Sequence, residues 1–270
     1  MVKAAFFDID GTLLSFRTHR VSPGTVRAFD LLHARGIRTF IASGRPMVLI
    51  PEMRCDDAST PLAFDGYVTM NGGYCFAGDN ILNKKPIPQD ETDRWLHYAQ
   101  ERGLCTMIFT EHEMFINRLD DPVANAIHDQ LEFTMPPQLD ISQMFGRETY
   151  QVIAVMPADK DAEVAAMLPH CRLPRWHPDF SDLVNLDNSK ASGIDAILRH
   201  YGIDRDECIA FGDGGNDIEM LEYCGIGVAM GNASEDVKRH ADLVTTSVDD
   251  EGILTALMKI DRDTRQLGIL

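Results

Sequence analysis

An unbroken apolar run, Ala4-Ala5-Phe6-Phe7, leads directly into Asp8-Ile9-Asp10-Gly11-Thr12. A short apolar run closed by turn chemistry is the pattern of a strand buried on both faces. Strands of that kind belong to parallel sheets covered by helices, which confines the chain to α/β architectures. In such sheets ligands bind beyond the carboxyl ends of the strands, where this run delivers two carboxylates two residues apart. Two acids held there repel each other unless a cation joins them, so the segment predicts a metal site. A helix N-cap, the ordinary structural use of Asp-Gly-Thr, accounts for one carboxylate and not for two.

The 270 residues, 44% of them hydrophobic, can bury the core of one large domain or two modest ones. A net charge of −17 argues against nucleic acid or an anionic membrane as partner, because such surfaces cluster Lys and Arg. A divalent cation can still admit a phosphate locally. The cysteines Cys55, Cys75, Cys105, Cys171, Cys208 and Cys224 are scattered and form no Cys-x-x-Cys pair, as expected of reduced thiols. Asp8 interrupts the N-terminus before a signal-like apolar region, and no apolar stretch approaches the ~18 residues of a membrane span. A cytoplasmic protein is expected, and the oligomeric state is not indicated.

Ser22-Pro23 reads as an N-cap followed by Pro at the first helical position, with Val26, Phe29 and Leu32 on one face and Gly36 as the stop. Thr39 to Ala42 is the next buried strand, and Ser43-Gly44-Arg45-Pro46 leaves it, which completes a βαβ unit. Tyr67 to Met70 is a further strand before the turn signal Asn71-Gly72-Gly73. From there the rhythm loosens. Helices are expected over 90–102, 121–131 and 159–168, and strands over 105–109, 114–116, 150–155 and 183–186, an α+β insert with a mostly antiparallel sheet. The α/β alternation returns with a helix from Lys190, strands at 208–211, 227–230 and 243–245, and a C-terminal helix. The expected architecture is a Rossmann-like, doubly wound parallel-sheet core over 1–82 and 186–270, split by an α+β insert over 83–185.

Strand ends in the larger part carry Asp8 and Asp10, Ser43, and Asp213 through Asp217, while Lys190 opens the helix after the insert. Hard carboxylate oxygens suit Mg²⁺ better than Zn²⁺, and a hydroxyl with an ammonium suits phosphate oxygens. Taken singly, Ser43-Gly44 is an ordinary loop, Lys190 a solvated helix residue and Gly212 to Gly215 a tight turn. Together they describe phosphoryl transfer.

These segments resemble the haloacid dehalogenase superfamily, specifically its Cof-type hydrolases. The resemblance rests on Asp8-Ile9-Asp10-Gly11-Thr12, Ala42-Ser43-Gly44-Arg45, Lys190, Gly212-Asp213-Gly214-Gly215-Asn216-Asp217, the tail Val228 to Ala233, and Asp250-Glu251-Gly252. It implies a phosphatase with Asp8 as nucleophile, Asp10 as acid and base, and Lys190 as charge balance. Ile9, Ser43, Gly44, Lys190 and Asn216 are the implied phosphate-binding residues, and Mg²⁺ is the implied metal, on Asp8, Asp213 and the Asp10 main chain. Asp217 is implied to orient Lys190 or a metal-bound water. Residues 11–42 leave room for one crossover helix, whereas 44–189 hold the insert, the position of the second, C2-type cap of subclass IIB. A small helical cap, as in β-phosphoglucomutase, is excluded by length. One departure is visible: Cof-type sequences place Gly directly after the motif Lys, whereas here Ala191 and Ser192 precede Gly193.

The expected substrates are small phosphorylated metabolites, with sugar phosphates foremost. A phosphohexomutase of the same architecture and an inactive phosphometabolite-binding protein are the competing readings. Arg175, Trp176, His177 and Asp179 in the insert, with Arg45 and Asn71, are the candidates for substrate discrimination.

Overall fold

The computed structural model describes residues 1–55, 61–131, 134–175, 177–265 and 267–268, so Trp176 lies outside the described residues. Two compact units divide the chain: 1–44, 51–83 and 189–270 form one, and 45–50 with 84–188 form the other.

The first unit opens with β1 (Ala4–Phe7), α1 (Pro23–Ala34), β2 (Arg38–Ala42), β3 (Gly66–Thr69), β4 (Tyr74–Ala77) and β5 (Asn80–Lys84). The chain then builds the second unit with α2 (Gln89–Arg102), β6 (Thr106–Phe109), β7 (Met114–Ile116), α3 (Pro122–Leu131), β8 (Gln151–Val155), α4 (Asp161–Met167), β9 (Cys171–Arg172) and β10 (Phe180–Asn185). It returns through α5 (Lys190–Tyr201), β11 (Cys208–Gly212), α6 (Ile218–Tyr223), β12 (Ile226–Ala229), α7 (Glu235–Arg239), β13 (Leu243–Val244) and α8 (Gly252–Thr264).

The first sheet has the order β13-β12-β11-β1-β2-β3-β4-β5. Pairing is parallel from β13 through to β3 and turns antiparallel at β4. Chain order runs outward from β1 in both directions, so the crevice where the winding reverses lies between β1 and β11. Every residue of β1 is buried. Phe6 stacks on Phe40 at 4.9 Å, and Phe7 meets Phe211 at 5.0 Å and Phe29 of α1 at 4.8 Å. Each such ring pair contributes ~0.5–1.5 kcal/mol beyond its area burial, which fixes the central strands and α1 as one block. The Ser22 hydroxyl caps α1 by accepting the Thr25 N–H at 3.1 Å. Its buried face carries Thr25, Ala28, Phe29 and Leu32, with Val26 only half-buried.

The second unit is an antiparallel sheet in the order β7-β6-β8-β10-β9. Its core packs Trp95, Leu96 and Ala99 of α2 and Val164 of α4 on Ile108, Val152, Ala154 and Leu183. The Trp95 indole N–H is satisfied by Thr106 Oγ1 at 2.9 Å. Strand β10 begins at Phe180, three residues before the apolar run that announces it, because the buried polar residues Ser181 and Asp182 interrupt the pattern. No described helix is long and apolar enough to cross a membrane, and all six cysteines are free and buried.

Candidate active site

β1 ends one residue before Asp8 and β11 one residue before Asp213, so the switch in the winding sets these two carboxylates side by side. One carboxylate oxygen each from Asp8, Asp213 and Asp217 lie within 4.8 Å of one another. Lys190, fully buried, donates to Asp8 Oδ1 and to Asp217 Oδ1, both at 2.5 Å. It is the first residue of α5, where the helix dipole disfavours a cation, so these two anions hold it against both burial and the dipole. The helix starts there because Ser189 and Ser192 form a reciprocal capping box. Gly193, displaced relative to the family pattern, lets α5 lie close on the sheet: a Cβ there would stand 2.4 Å from Val68 Cγ1 and 2.8 Å from Cys75 Sγ.

The charges do not balance. Burial raises the Asp8 pKa well above the usual carboxylate range; Lys190 pulls it down, while Asp217, Asp213 and Asp10 push it further up. Burial and the Asp217 charge lift Asp213 to about 7, against the pull of the Thr12 hydroxyl and Lys190. Burial depresses the Lys190 ammonium, but Asp217 and Asp8 more than reverse this and its pKa is raised. Asp217 spends its second oxygen on the Asp213 and Gly214 N–H groups, at 2.9 and 2.8 Å. Both of its oxygens therefore accept hydrogen bonds, one from Lys190 and the other from the loop, while Asp8, Asp213 and Asp217 together offer the clustered hard oxygens that suit a cation. The Asp10 side chain, half-buried, is not among the clustered carboxylates.

The phosphate-binding candidates assemble on the loops after β2 and β11. Ser43 is buried, and its N–H is held by Val68 O at 2.8 Å. Gly44 leaves room for its neighbours: a Cβ there would lie 3.3 Å from both amide atoms of Asn71 and 3.5 Å from Asn216 Nδ2. Asn216 Nδ2 donates to Asn71 Oδ1 at 3.1 Å. The Ile9 side chain is in the core, and its carbonyl accepts the N–H groups of Thr12, Leu13 and Leu14. Only its main chain can serve a ligand.

Sequence reasoning did not single out Asn232, although it lies in the family-like tail. Its amide donates to Gly11 O at 2.9 Å and to Asp213 Oδ2 at 3.1 Å, and its oxygen accepts the Val248 N–H at 2.9 Å. Thr12 Oγ1 donates to the other oxygen, Asp213 Oδ1, at 3.0 Å. Asp213 is thus gripped on both oxygens. Gly11, at φ 84°, approaches so closely that a Cβ would stand 2.2 Å from Asp213 Oδ2. The only sequence signal for Asn232 was its place in that tail, because nothing local marks a contact made across more than two hundred residues.

In the second unit, the Arg175 guanidinium is committed to Asp161 and to the carbonyls of Met156, His177, Pro178 and Phe180. It is a structural clamp. His177 stacks on Phe180 at 4.9 Å and accepts the Asp179 N–H on Nδ1. Arg45 groups with the second unit and donates to Leu49 O at 2.8 Å.

Carboxylates clustered around one buried lysine at the reversal of a doubly wound sheet form a charged centre at the strand ends, where proteins of α/β architecture bind their ligands. The family model for haloacid dehalogenase-like hydrolases matches residues 5–257, and the chain belongs to that family, with its Cof-type resemblance intact. It is 31% identical over 268 residues to YkrA of Bacillus subtilis (strain 168), a protein named as a phosphatase, covering 99% of this chain and 98% of the relative. It is also 31% identical over 270 residues to a Streptococcus pyogenes serotype M6 protein named as a bifunctional phosphatase and peptidyl-prolyl isomerase, but spans only 55% of that relative's length. A solved structure described as a HAD subclass IIB sugar phosphatase superposes with a TM-score of 0.88 at 37% identity, covering 100% of both chains.

Proposed function

We propose that the protein is a Mg²⁺-dependent phosphatase that hydrolyses small phosphorylated metabolites, sugar phosphates foremost, through an aspartyl-phosphate. The observation that carries this is the Asp8–Lys190–Asp217 chain beside Asp213, a buried nucleophile with its charge balance and a second carboxylate within reach of one cation. The donor set fits a hard cation. Asp8 and Asp213, with the Asp10 main-chain oxygen, would hold Mg²⁺. Bound there, the metal would offset the repulsion between the anionic nucleophile and an anionic substrate.

Asp8 attacks phosphorus, and the bond from phosphorus to the ester oxygen breaks as Asp10 gives that oxygen its proton. Asp10 then takes a proton from water, whose oxygen attacks the phosphorus. The bond to Asp8 breaks, orthophosphate leaves and both carboxyl groups return to their starting state. Ser43, Gly44 and Asn216 hold the non-bridging oxygens with the Ile9 main chain, and Lys190 balances their charge. That the Asp10 side chain stands apart from the clustered carboxylates supports its role as proton carrier. The insert, expected over 83–185, serves as the C2-type cap and supplies substrate discrimination. The likeness to a named sugar phosphatase supports that substrate class.

Phosphate release from a panel of phosphomonoesters, with and without Mg²⁺, is the direct test. Asp8→Asn is expected to lower turnover by at least about a thousandfold while leaving the circular dichroism spectrum unchanged. A folded variant that keeps most of its activity would remove Asp8 as nucleophile. Isomerisation of a hexose phosphate without phosphate release would instead make the protein a mutase.

A further inference from the structure

At the end of β3 three consecutive residues, Met70, Asn71 and Gly72, adopt φ of 49°, 51° and 90°. Asn tolerates the left-handed region, but a side chain such as Met does so at a cost. All three are buried. Strain of this kind persists where its surroundings over-determine it. An ordinary Asn-Gly turn into β4 explains a left-handed Asn71. It explains neither Met70 nor a side-chain bond from Asn71 to a residue 145 positions away.

The surroundings are the loops of the site. The Asn71 N–H donates to Ser43 O at 3.1 Å, and Asn71 Oδ1 accepts from Asn216 Nδ2 at 3.1 Å. The Asn71 amide lies against Gly44, and a Cβ on Gly72 would stand 2.1 Å from Ser189 O, the cap residue before Lys190. One turn therefore touches the loop after β2, the loop after β11 and the start of α5.

We propose that the turn Met70–Gly72 keys these three loops into one phosphate-binding register, with Asn71 as its positioning residue, a role that rests on the phosphatase reading for the identity of the ligand. Asn71 acts through its neighbours. Its oxygen pins the Asn216 amide and with it the direction of the second Asn216 N–H, while its own N–H fixes the backbone at Ser43. This replaces the expectation of Asn71 as a discriminating contact with the substrate.

Asn71→Gly tests it, because glycine keeps the left-handed backbone and removes the amide. The probe is orthophosphate added to the Mg²⁺-loaded protein, read by calorimetry and by competitive inhibition. Its affinity is expected to fall roughly tenfold, the net worth of about one hydrogen bond, with the Mg²⁺ midpoint unmoved, Tm lowered by only the few degrees that one lost hydrogen bond brings, and KM raised more than kcat is lowered. Asn216→Ala should show the same loss, and the double variant should be no weaker than either single one. If Asn71→Gly does not fold, Asn71→Ala takes its place in the same cycle with Asn216→Ala, since it removes the same amide, and the same non-additive loss is expected. Wild-type orthophosphate affinity in a folded variant, or additive losses, overturns the proposal. Wild-type protein that binds orthophosphate but releases none from any phosphomonoester overturns the phosphatase reading instead.

Discussion

Lys190 pairs with Asp8 and Asp217 while Asp213 stands beside them, so without a cation the heads of β1 and β11 hold more negative charge than they neutralise. A carboxyl whose folded-state pKa lies above its unfolded value binds more protons folded than unfolded between the two, and loses that stabilisation as pH rises through the window. For Asp213 the window runs from 3.8 to about 7, and Asp8 is shifted in the same direction. Metal-free protein in EDTA is therefore expected to melt at lower temperature at about pH 8 than at about pH 5, and Asp213→Asn should flatten that fall. Mg²⁺ should raise Tm more at the higher pH, where no proton competes for the carboxylates. A metal-free Tm that climbs across this range contradicts the charge arrangement. The acids themselves were legible in the sequence, because two carboxylates at the end of a buried strand have few structural uses. Asn232 was not, because its bonds to Gly11 and Asp213 depend on where the return of the chain after β12 brings a loop.

Elements with strong local signals read correctly from the sequence. The all-apolar β1, the Ser22-Pro23 start of α1 and the α5 start at Lys190 each state their own boundary. The polar edge strand β5 and the two-residue β9 carry no such pattern and take their form from their neighbours. Helix α5 shows the two influences in opposition. Ala is a better helix former than Gly by about 1 kcal/mol, so Gly193→Ala ought to stabilise α5 taken alone. Within the fold its Cβ would meet Val68 Cγ1 at 2.4 Å, Cys75 Sγ at 2.8 Å and Gly72 Cα at 3.1 Å. Overpacking costs roughly 1–3 kcal/mol, so the gain of about 1 kcal/mol is at least cancelled and the net effect is expected to be a destabilisation of up to about 2 kcal/mol. Lys190, three residues earlier, should lose its alignment and turnover should fall. Urea unfolding measures the first effect and phosphate release the second. A Gly193→Ala variant stabilised by the full ~1 kcal/mol of helix propensity would mean that α5 does not lie this close to the sheet.

At the scale of the molecule, the interruption of the first unit by a second one was legible from spacing: a short crossover between Asp10 and Ser43, then a long stretch before Lys190. The part played by each polar side chain of the insert was not, because a guanidinium such as that of Arg175 reads alike in sequence whether it clamps carbonyls or awaits a ligand. Net charge is the other whole-chain property that bears on function. At −17, from 42 acidic and 25 basic residues, the long-range field favours cations, and the site adds its own buried excess of carboxylates. The field of distant charges is screened over a Debye length of ~30 Å at 0.01 M salt and ~8 Å at 0.15 M, whereas contacts with the ligating oxygens are hardly screened. Raising NaCl between those values at fixed pH should therefore weaken Mg²⁺ binding by about three- to tenfold without abolishing it. Calorimetric titration of the metal-free protein measures this directly. An affinity that holds constant across the range would show that the clustered carboxylates alone set cation binding and that the acidic surface contributes nothing to it.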